Sequence, residues 1–93
     1  MYDRILKQVR EKIRTRQYVM TLHAEEEMDN DGLTIFDVEH GLLAGGITER
    51  QKDPQTGEWK YLVEGQTLKD DRLVVVTKLS PTDKLVIITV YLS

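Results

Sequence analysis

The chain has 93 residues, a length that predicts one domain, and no cysteine, which excludes disulfides and thiolate metal sites. A small domain without disulfides fits a reducing compartment. The net charge of −3 is uneven: residues 1–16 carry +4, residues 17–40 carry −7 and residues 41–93 are neutral. The basic start could contact nucleic acid, but such charge runs more often serve solubility or local pairing. We therefore expect the first helix to dock near the acidic segment or to be solvated.

A membrane location is not indicated by the hydropathy of the chain. No apolar run approaches the roughly 18 residues that a membrane span requires. The start of the chain also lacks the apolar stretch of a secretion signal. We therefore expect a cytoplasmic protein that does not bind a membrane.

The first predicted helix covers residues 3–15. Basic side chains fill most positions between its apolar residues, which recur at helical spacing: Ile5, Leu6, Val9 and Ile13. The stretch YVM at residues 18–20 is predicted as a short extended piece.

Two further helices carry recognisable start and stop signals. Thr21 is suited to cap the start of the second helix, and Gly32 is suited to end it in a left-handed conformation. Thr34 and Asp37 have the spacing of a capping box at the start of the third helix, with Asp in place of the usual Glu. Gly45 ends that helix.

Beyond Gly45 the apolar period changes from 3.6 to 2, which predicts strands. Short links imply an antiparallel meander of about four strands with the sequences GITERQ, WKYLVEGQT, RLVVVTKL and KLVIITVYLS. The fold class is therefore α+β, with N-terminal helices packed on a C-terminal antiparallel sheet. The last two strands are apolar on both faces, so we expect them inside the sheet. Both faces of these strands therefore need cover. The helices can cover one face, and the rest requires the first helix or a second copy of the chain.

Several short motifs together carry a resemblance to a known family. In order, they are His23-Ala24 with Met28, Gly32-Leu33, Val38, Gly46-Ile47, YLVEG at 61–65 and the closing Ile88-Thr89-Val90-Tyr91. Their order and spacing resemble the domains of unknown function family 4258 (DUF4258). The match covers residues 18–92 of a single domain at 1–93, in which residues 1–16 form the basic N-terminal helix.

The resemblance implies a relation to the RelE/ParE-type and BrnT-type toxin folds. It implies an α+β domain of interferase ancestry and does not supply an established activity. From this ancestry we carry forward, as hypotheses, a role in a toxin–antitoxin system or descent from one, a metal-independent endoribonuclease activity and an antitoxin as partner. Two positions depart from the family pattern, because Glu27 and Asp31 stand where relatives often have arginine. Both changes replace a cation that could hold phosphate with an anion that repels it, which leaves the activity in doubt.

Cleavage of RNA by its own 2′-hydroxyl needs a base, an acid and cations near the phosphate. We assign His23, Arg72 and Tyr91 as candidate catalytic residues, and Tyr61 and Lys78 as candidate substrate-binding residues. The alternative interpretation is structural. In it both tyrosines are half-buried sheet residues, and the imidazole of His23 binds a backbone group or Glu27.

Other kinds of site have weaker support. His23 and Glu27 have the i,i+4 spacing of metal ligands, and His40 follows Asp37 and Glu39, but such pairs are equally surface ion pairs. We expect no metal and no cofactor. The glycines at 41, 45 and 46 lie at a helix end and so do not form a phosphate loop. Trp59 and Tyr61 could stack bases, but this spacing more often marks core or dimer contacts.

Two functions are therefore carried forward. The first is a toxin-type endoribonuclease that uses His23 and Tyr91. The second is a non-catalytic interaction module, expected to be a homodimer, which binds through its sheet or its first helix. The acidic middle segment and the lost cations disfavour RNA and so favour the second function, whereas the retained His23, Arg72 and Tyr91 favour the first.

Overall fold

Three helices and one five-stranded sheet make up the α+β fold in a computed structural model that describes residues 1–93. The helices are α1 (Asp3–Arg14), α2 (Leu22–Asp31) and α3 (Ile35–Ala44). The strands are β1 (Tyr18–Met20), β2 (Gly46–Lys52), β3 (Trp59–Gln66), β4 (Arg72–Leu79) and β5 (Leu85–Leu92). None of the helices has both the length and the apolar character needed to cross a membrane.

The predicted helix caps are present. The Thr21 hydroxyl accepts the backbone N–H of Ala24 at 3.1 Å, and Gly32 ends α2 with a left-handed φ of 66°. Thr34 and Asp37 form both hydrogen bonds of a capping box at the start of α3. The second Asp37 oxygen accepts the N–H of Leu68 at 3.0 Å, which ties α3 to the β3–β4 turn.

The sheet has the strand order β1-β5-β4-β3-β2. Strands β2 to β5 form the predicted antiparallel meander, and β4 and β5 are interior strands as predicted. The prediction of about four antiparallel strands omits β1, which pairs in parallel with β5 and makes the sheet mixed. A three-residue strand is too short to show an apolar period, and its partner lies at the far end of the chain.

Strand β1 is also tied to α3. The Tyr18 hydroxyl donates to a Glu39 carboxylate oxygen at 2.6 Å. Burial, reinforced by this hydrogen bond to a carboxylate, raises the pKa of Tyr18 to about 12. The phenol therefore stays protonated, and it links the start of the sheet to the helical layer.

One face of the sheet packs against the helices and forms the core. Alternate residues along β3, β4 and β5 point to this side. The core cluster is Val9, Ile13, Ala24, Met28, Val38, Leu42, Val63, Leu73, Val75, Leu85, Ile87 and Val90. Each fully buried valine or leucine contributes about 1.5–3 kcal/mol relative to an exposed one, so this cluster dominates the stability of the fold.

A pair of glycines lets α3 lie directly on β3. A Cβ added to Gly65 would collide with the carbonyl oxygen of Gly41 and would lie 2.8 Å from its Cα. A Cβ added to Gly41 would lie 2.8 Å from a methyl carbon of Leu73. Only hydrogen fits between the two backbones here, so these glycines set the distance between helix and sheet.

Helix α2 closes the edge of β5 where β1 ends. The Thr21 N–H donates to the carbonyl of Ile87 at 3.0 Å, and its hydroxyl donates to that of Ile88 at 2.9 Å. Six residues after Thr21, within α2, a Glu27 carboxylate oxygen accepts the N–H of Val90 at 3.1 Å. Side chains of α2 thus replace the missing strand and leave no open template for pairing with another chain at this edge.

The basic helix α1 packs through Val9 and Ile13, which are buried. Arg10 donates to the carbonyl of Gly45 at 2.9 Å, at the negative end of the α3 dipole. Lys12 lies 3.1 Å from Asp83 in the β4–β5 turn. Arg10 and Lys12 therefore meet a helix end and a turn rather than the acidic side chains of α2, and the other basic side chains of α1 are exposed to solvent: Arg4, Lys7 and Arg14.

Candidate functional site

No helix packs on the other face of the sheet, which we call the open face. Its side chains alternate with those of the core, as the neighbours Val75 and Val76 illustrate: Val75 is 1% exposed, whereas Val76 is only partly buried. An apolar stripe crosses this face, formed by Val19, Leu62, Val76, Val86 and Ile88. Val19 is 44% exposed. The open face therefore has half-buried apolar side chains at its centre, beside Val74, which is 4% exposed, and an exposed valine at its β1 edge.

Charged residues border the apolar stripe at both ends of the strands. At one end Lys78 lies 3.3 Å from Glu58, beside Lys60, and these side chains rim a shallow cleft of about 230 Å³ floored by Val86 and Ile88. At the other end Arg72 lies 3.8 Å from Glu64. An apolar centre with a charged rim is the arrangement found in protein interfaces.

The turn that flanks this cleft carries a fixed negative charge. Asp53 accepts the backbone N–H of Gln55 at 2.8 Å. This hydrogen bond, with a second from Thr56, lowers the pKa of Asp53 below its usual value. The carboxylate is therefore ionised at neutral pH, which adds a permanent charge beside Lys60 and Lys78.

His23 is exposed, and its imidazole lies against Glu27. Its Nε2 atom is 3.2 Å from the same Glu27 oxygen that accepts the N–H of Val90. The side chain of His23 is 65% exposed, whereas that of Glu27 is 24% exposed. Glu27 thus links the imidazole to the edge of β5. This is the arrangement expected if His23 has a structural role, and it also fixes the orientation of the ring.

Arg72 and Lys78, the two cationic residues predicted for the site, do not converge on one point. Arg72 and Lys78 point to the same face, but they stand at opposite ends of β4. Six residues of strand separate them by about 20 Å, so the two cannot contact one phosphate group. Tyr91 pairs with Val74, two residues from Arg72, and is 38% exposed. Arg72 and Tyr91 therefore lie at the same end of the open face, away from Lys78.

Tyr61 lies on the opposite side of the sheet from Lys78. It pairs with Thr77, which faces the core, and it is 8% exposed. Its ring packs edge-on against Tyr2 with 6.3 Å between centroids. Its neighbour Trp59 has one ring face covered by the guanidinium of Arg50, 4.1 Å from the ring centroid. The ring of Tyr61 is therefore not accessible to stack on a base.

A polar cleft that the sequence did not indicate lies where α3 meets the end of β3. It has a volume of about 390 Å³ and is lined by His40, Glu64, Gln66, Arg72 and the Gly45-Gly46 backbone. Sequence spacing associated His40 only with Asp37 and Glu39 of its own helix. The paired glycines that end α3 were the available signal, because they bring the helix end against the strand. No third His, Asp or Glu side chain joins His40 and Glu64 to complete a metal-binding cluster.

Comparison with known proteins agrees with the predicted family. The family model described as a domain of unknown function, DUF4258, matches residues 20–92. No curated protein and no solved structure is significantly similar to the chain. The match covers α2, α3 and almost the whole sheet, including the last residue of β1, and leaves α1 outside it. Since it spans well over half of the sequence, the chain belongs to the DUF4258 family.

Proposed function

We propose that this domain is a non-catalytic protein-interaction module whose contact surface is the open face. The observation that carries the proposal is the uncovered apolar stripe around Val76, in a domain whose other sheet face is fully packed. Contiguous apolar side chains on a small protein are costly to leave in water and commonly mark an interface.

The separation of the predicted substrate-binding residues from the predicted catalytic ones supports the same proposal. Of the predicted catalytic residues, Arg72 and Tyr91 lie at one end of the open face and His23 is held by Glu27 at the edge of β5. The predicted substrate-binding residues lie elsewhere, because Lys78 is at the far end of β4 and Tyr61 is buried on the other face. General acid–base catalysis requires such groups within hydrogen-bond reach of a common point. Glu25 and Glu26, both exposed beside His23, would repel a phosphate backbone.

The chain contains no cysteine, so the labelling of a single introduced cysteine shows whether the open face is covered. We would compare Val76→Cys with Lys84→Cys, an exposed position in the β4–β5 turn, for labelling by a small maleimide in intact cells and in dilute purified protein. An occupied face protects the thiol at position 76 in cells relative to dilute protein, whereas the thiol at position 84 reacts equally in both. Equal labelling of position 76 in both settings would refute the proposal.

One observation favours a second candidate, an endoribonuclease toxin related to the RelE/ParE and BrnT folds. Glu27, itself held by the N–H of Val90, orients the imidazole of His23 as a carboxylate orients a general base. Arg72 and Tyr91 lie at one end of the open face: Tyr91 is on β5 itself, directly after Val90, and Arg72 is on the neighbouring strand β4. In this candidate they would bind the phosphate and supply a proton.

The two candidates separate on expression of the wild type beside His23→Ala and Tyr91→Phe. The interaction module is expected to cause no growth arrest and no RNA cleavage in any of the three. Growth arrest with RNA cleavage that both substitutions abolish, in variants that remain folded by circular dichroism, would establish the endoribonuclease instead.

A further inference from the structure

We propose that the partner of the open face is a second copy of this chain, related by a two-fold axis that runs across the strands along the row Leu62–Val76–Thr89. This inference rests on the proposed interaction function and names its partner. It follows from the way charged and apolar side chains are distributed on either side of that row.

The register of the sheet defines three rows across the open face. The middle row joins Glu49, Leu62, Val76 and Thr89. A basic row, which contains Lys60 and Lys78, lies two residues along the strands to one side of the middle row. A third row, which contains Glu64, Val74 and Tyr91, lies two residues to the other side of the middle row. The basic and acidic positions of β3 therefore stand at equal distances from the middle row.

A two-fold axis along the middle row exchanges the two outer rows. It places Lys60 of one copy above Glu64 of the other, twice in the dimer, and it places Leu62 and Val76 on their own counterparts. It also places Glu49 on its counterpart, where the like charges repel at the exposed β2 rim of the interface. Within one chain these two charges are about 13 Å apart and cannot meet. Sheets packed face to face are about 10 Å apart, a gap that a lysine side chain and a glutamate span together.

The charges available on the single chain fit this arrangement. Lys60 has no carboxylate within 4.0 Å, whereas Lys78 is already paired with Glu58. Glu64 has only a long contact with Arg72, at 3.8 Å. The same axis places Tyr91, which is 38% exposed, over the partly buried Val86 of the second copy. Self-complementarity of this kind is what a two-fold interface requires.

Charge reversal tests this geometry in the full-length chain by sedimentation over a range of concentrations. The wild type is expected to be a dimer in the micromolar range. Lys60→Glu and Glu64→Lys each oppose like charges at two symmetric places, and each should weaken the dimer by about tenfold or more. The double variant exchanges the charges and should recover most of the wild-type affinity. Lys84→Glu, in the exposed β4–β5 turn, should leave the affinity unchanged.

The rescue in the double variant distinguishes this dimer from general effects of charge or folding. A wild type that is monomeric throughout the micromolar range, or single variants whose loss the double variant does not reverse, would overturn self-pairing. The interaction function would still stand if Val76→Cys is protected in cells, since a different protein then covers the face. Equal labelling of Val76→Cys in cells and in dilute monomer would refute both proposals.

Discussion

The two faces of the sheet are built from the same strands but have opposite chemistry. Val75 and Val76 are neighbours in β4, yet one is sealed under α1 to α3 and the other lies in an apolar stripe bordered by charges. The covered face is close-packed around glycine contacts and is intolerant of added atoms. We expect the open face to tolerate change in the isolated chain and to be sensitive only at the proposed contact with a partner. Stability and interaction can therefore be altered separately.

The largest effect on the covered face is expected from Gly65→Ala. The new Cβ would collide with the backbone of Gly41, and backbone cannot move aside as a flexible side chain can. We expect a loss of about 3 kcal/mol in the free energy of unfolding, measured by urea denaturation. Gly46→Ala is the matched control, because nothing lies within 4 Å of a Cβ there. Equal losses in the two variants would show that the helix–sheet distance is not set at Gly65.

The comparison of faces is sharpest in Val75→Ala against Val76→Ala. Removing two buried methyl groups at position 75 is expected to cost about 2 kcal/mol, whereas the partly buried position 76 should cost less than about 1 kcal/mol in dilute monomer. Denaturation at low protein concentration measures both. A cost at position 76 equal to that at position 75 would mean that the open face is packed within the single chain.

At the edge between the two faces, Glu27→Ala should destabilise the fold more than His23→Ala. Without the carboxylate, the N–H of Val90 in a fully buried residue loses its partner, at a cost of about 1–2 kcal/mol. The exposed imidazole contributes about 0.5 kcal/mol or less. Thermal melts of the two variants check this order. A greater loss from His23→Ala would place the structural role in the histidine instead.

The smallest effect is the acid sensitivity supplied by Asp37. Hydrogen bonds from the N–H groups of Thr34 and Leu68 lower the pKa of this carboxyl below its unfolded value. Its stabilisation is therefore complete above the unfolded pKa of about 3.9 and is lost as pH falls through the lower folded pKa. Asp37→Asn should lose about 1 kcal/mol at neutral pH and less in strong acid. Unfolding curves between pH 7 and the acid limit compare the two proteins, and an unchanged difference across that range would contradict the assignment.

Local signals in the sequence were sufficient for the helices and the meander. Thr21, Gly32, Thr34 and Asp37 act within a few residues of themselves, so their capping roles follow from spacing alone. The continuous apolar runs of β4 and β5 likewise placed these strands inside the sheet. The family resemblance was carried by motifs that fall within the matched residues.

Features that depend on contacts between residues far apart in the sequence could not be predicted from such local signals. The pairing of β1 with β5 and the bond from Glu27 to Val90 join the two ends of the chain. Arg72 and Lys78 lie on one face of β4, but six residues of extended strand hold them about 20 Å apart. Tyr61 looked accessible because its burial depends on Tyr2, a residue outside the sheet. Convergence of side chains at a site is a property of the register, which the apolar pattern does not determine.

The position of β5 between β1 and β4 has a consequence for synthesis of the protein on the ribosome. The strand that completes the core is made last, although α1 and α2, which pack against it, are made first. At about 5–20 residues per second, the apolar residues of both helices wait for several seconds before their sheet exists. Translation must therefore reach residues 85–92 before the domain can fold. A nascent chain that stops short of them is a substrate for chaperones and proteases rather than a smaller version of the same structure.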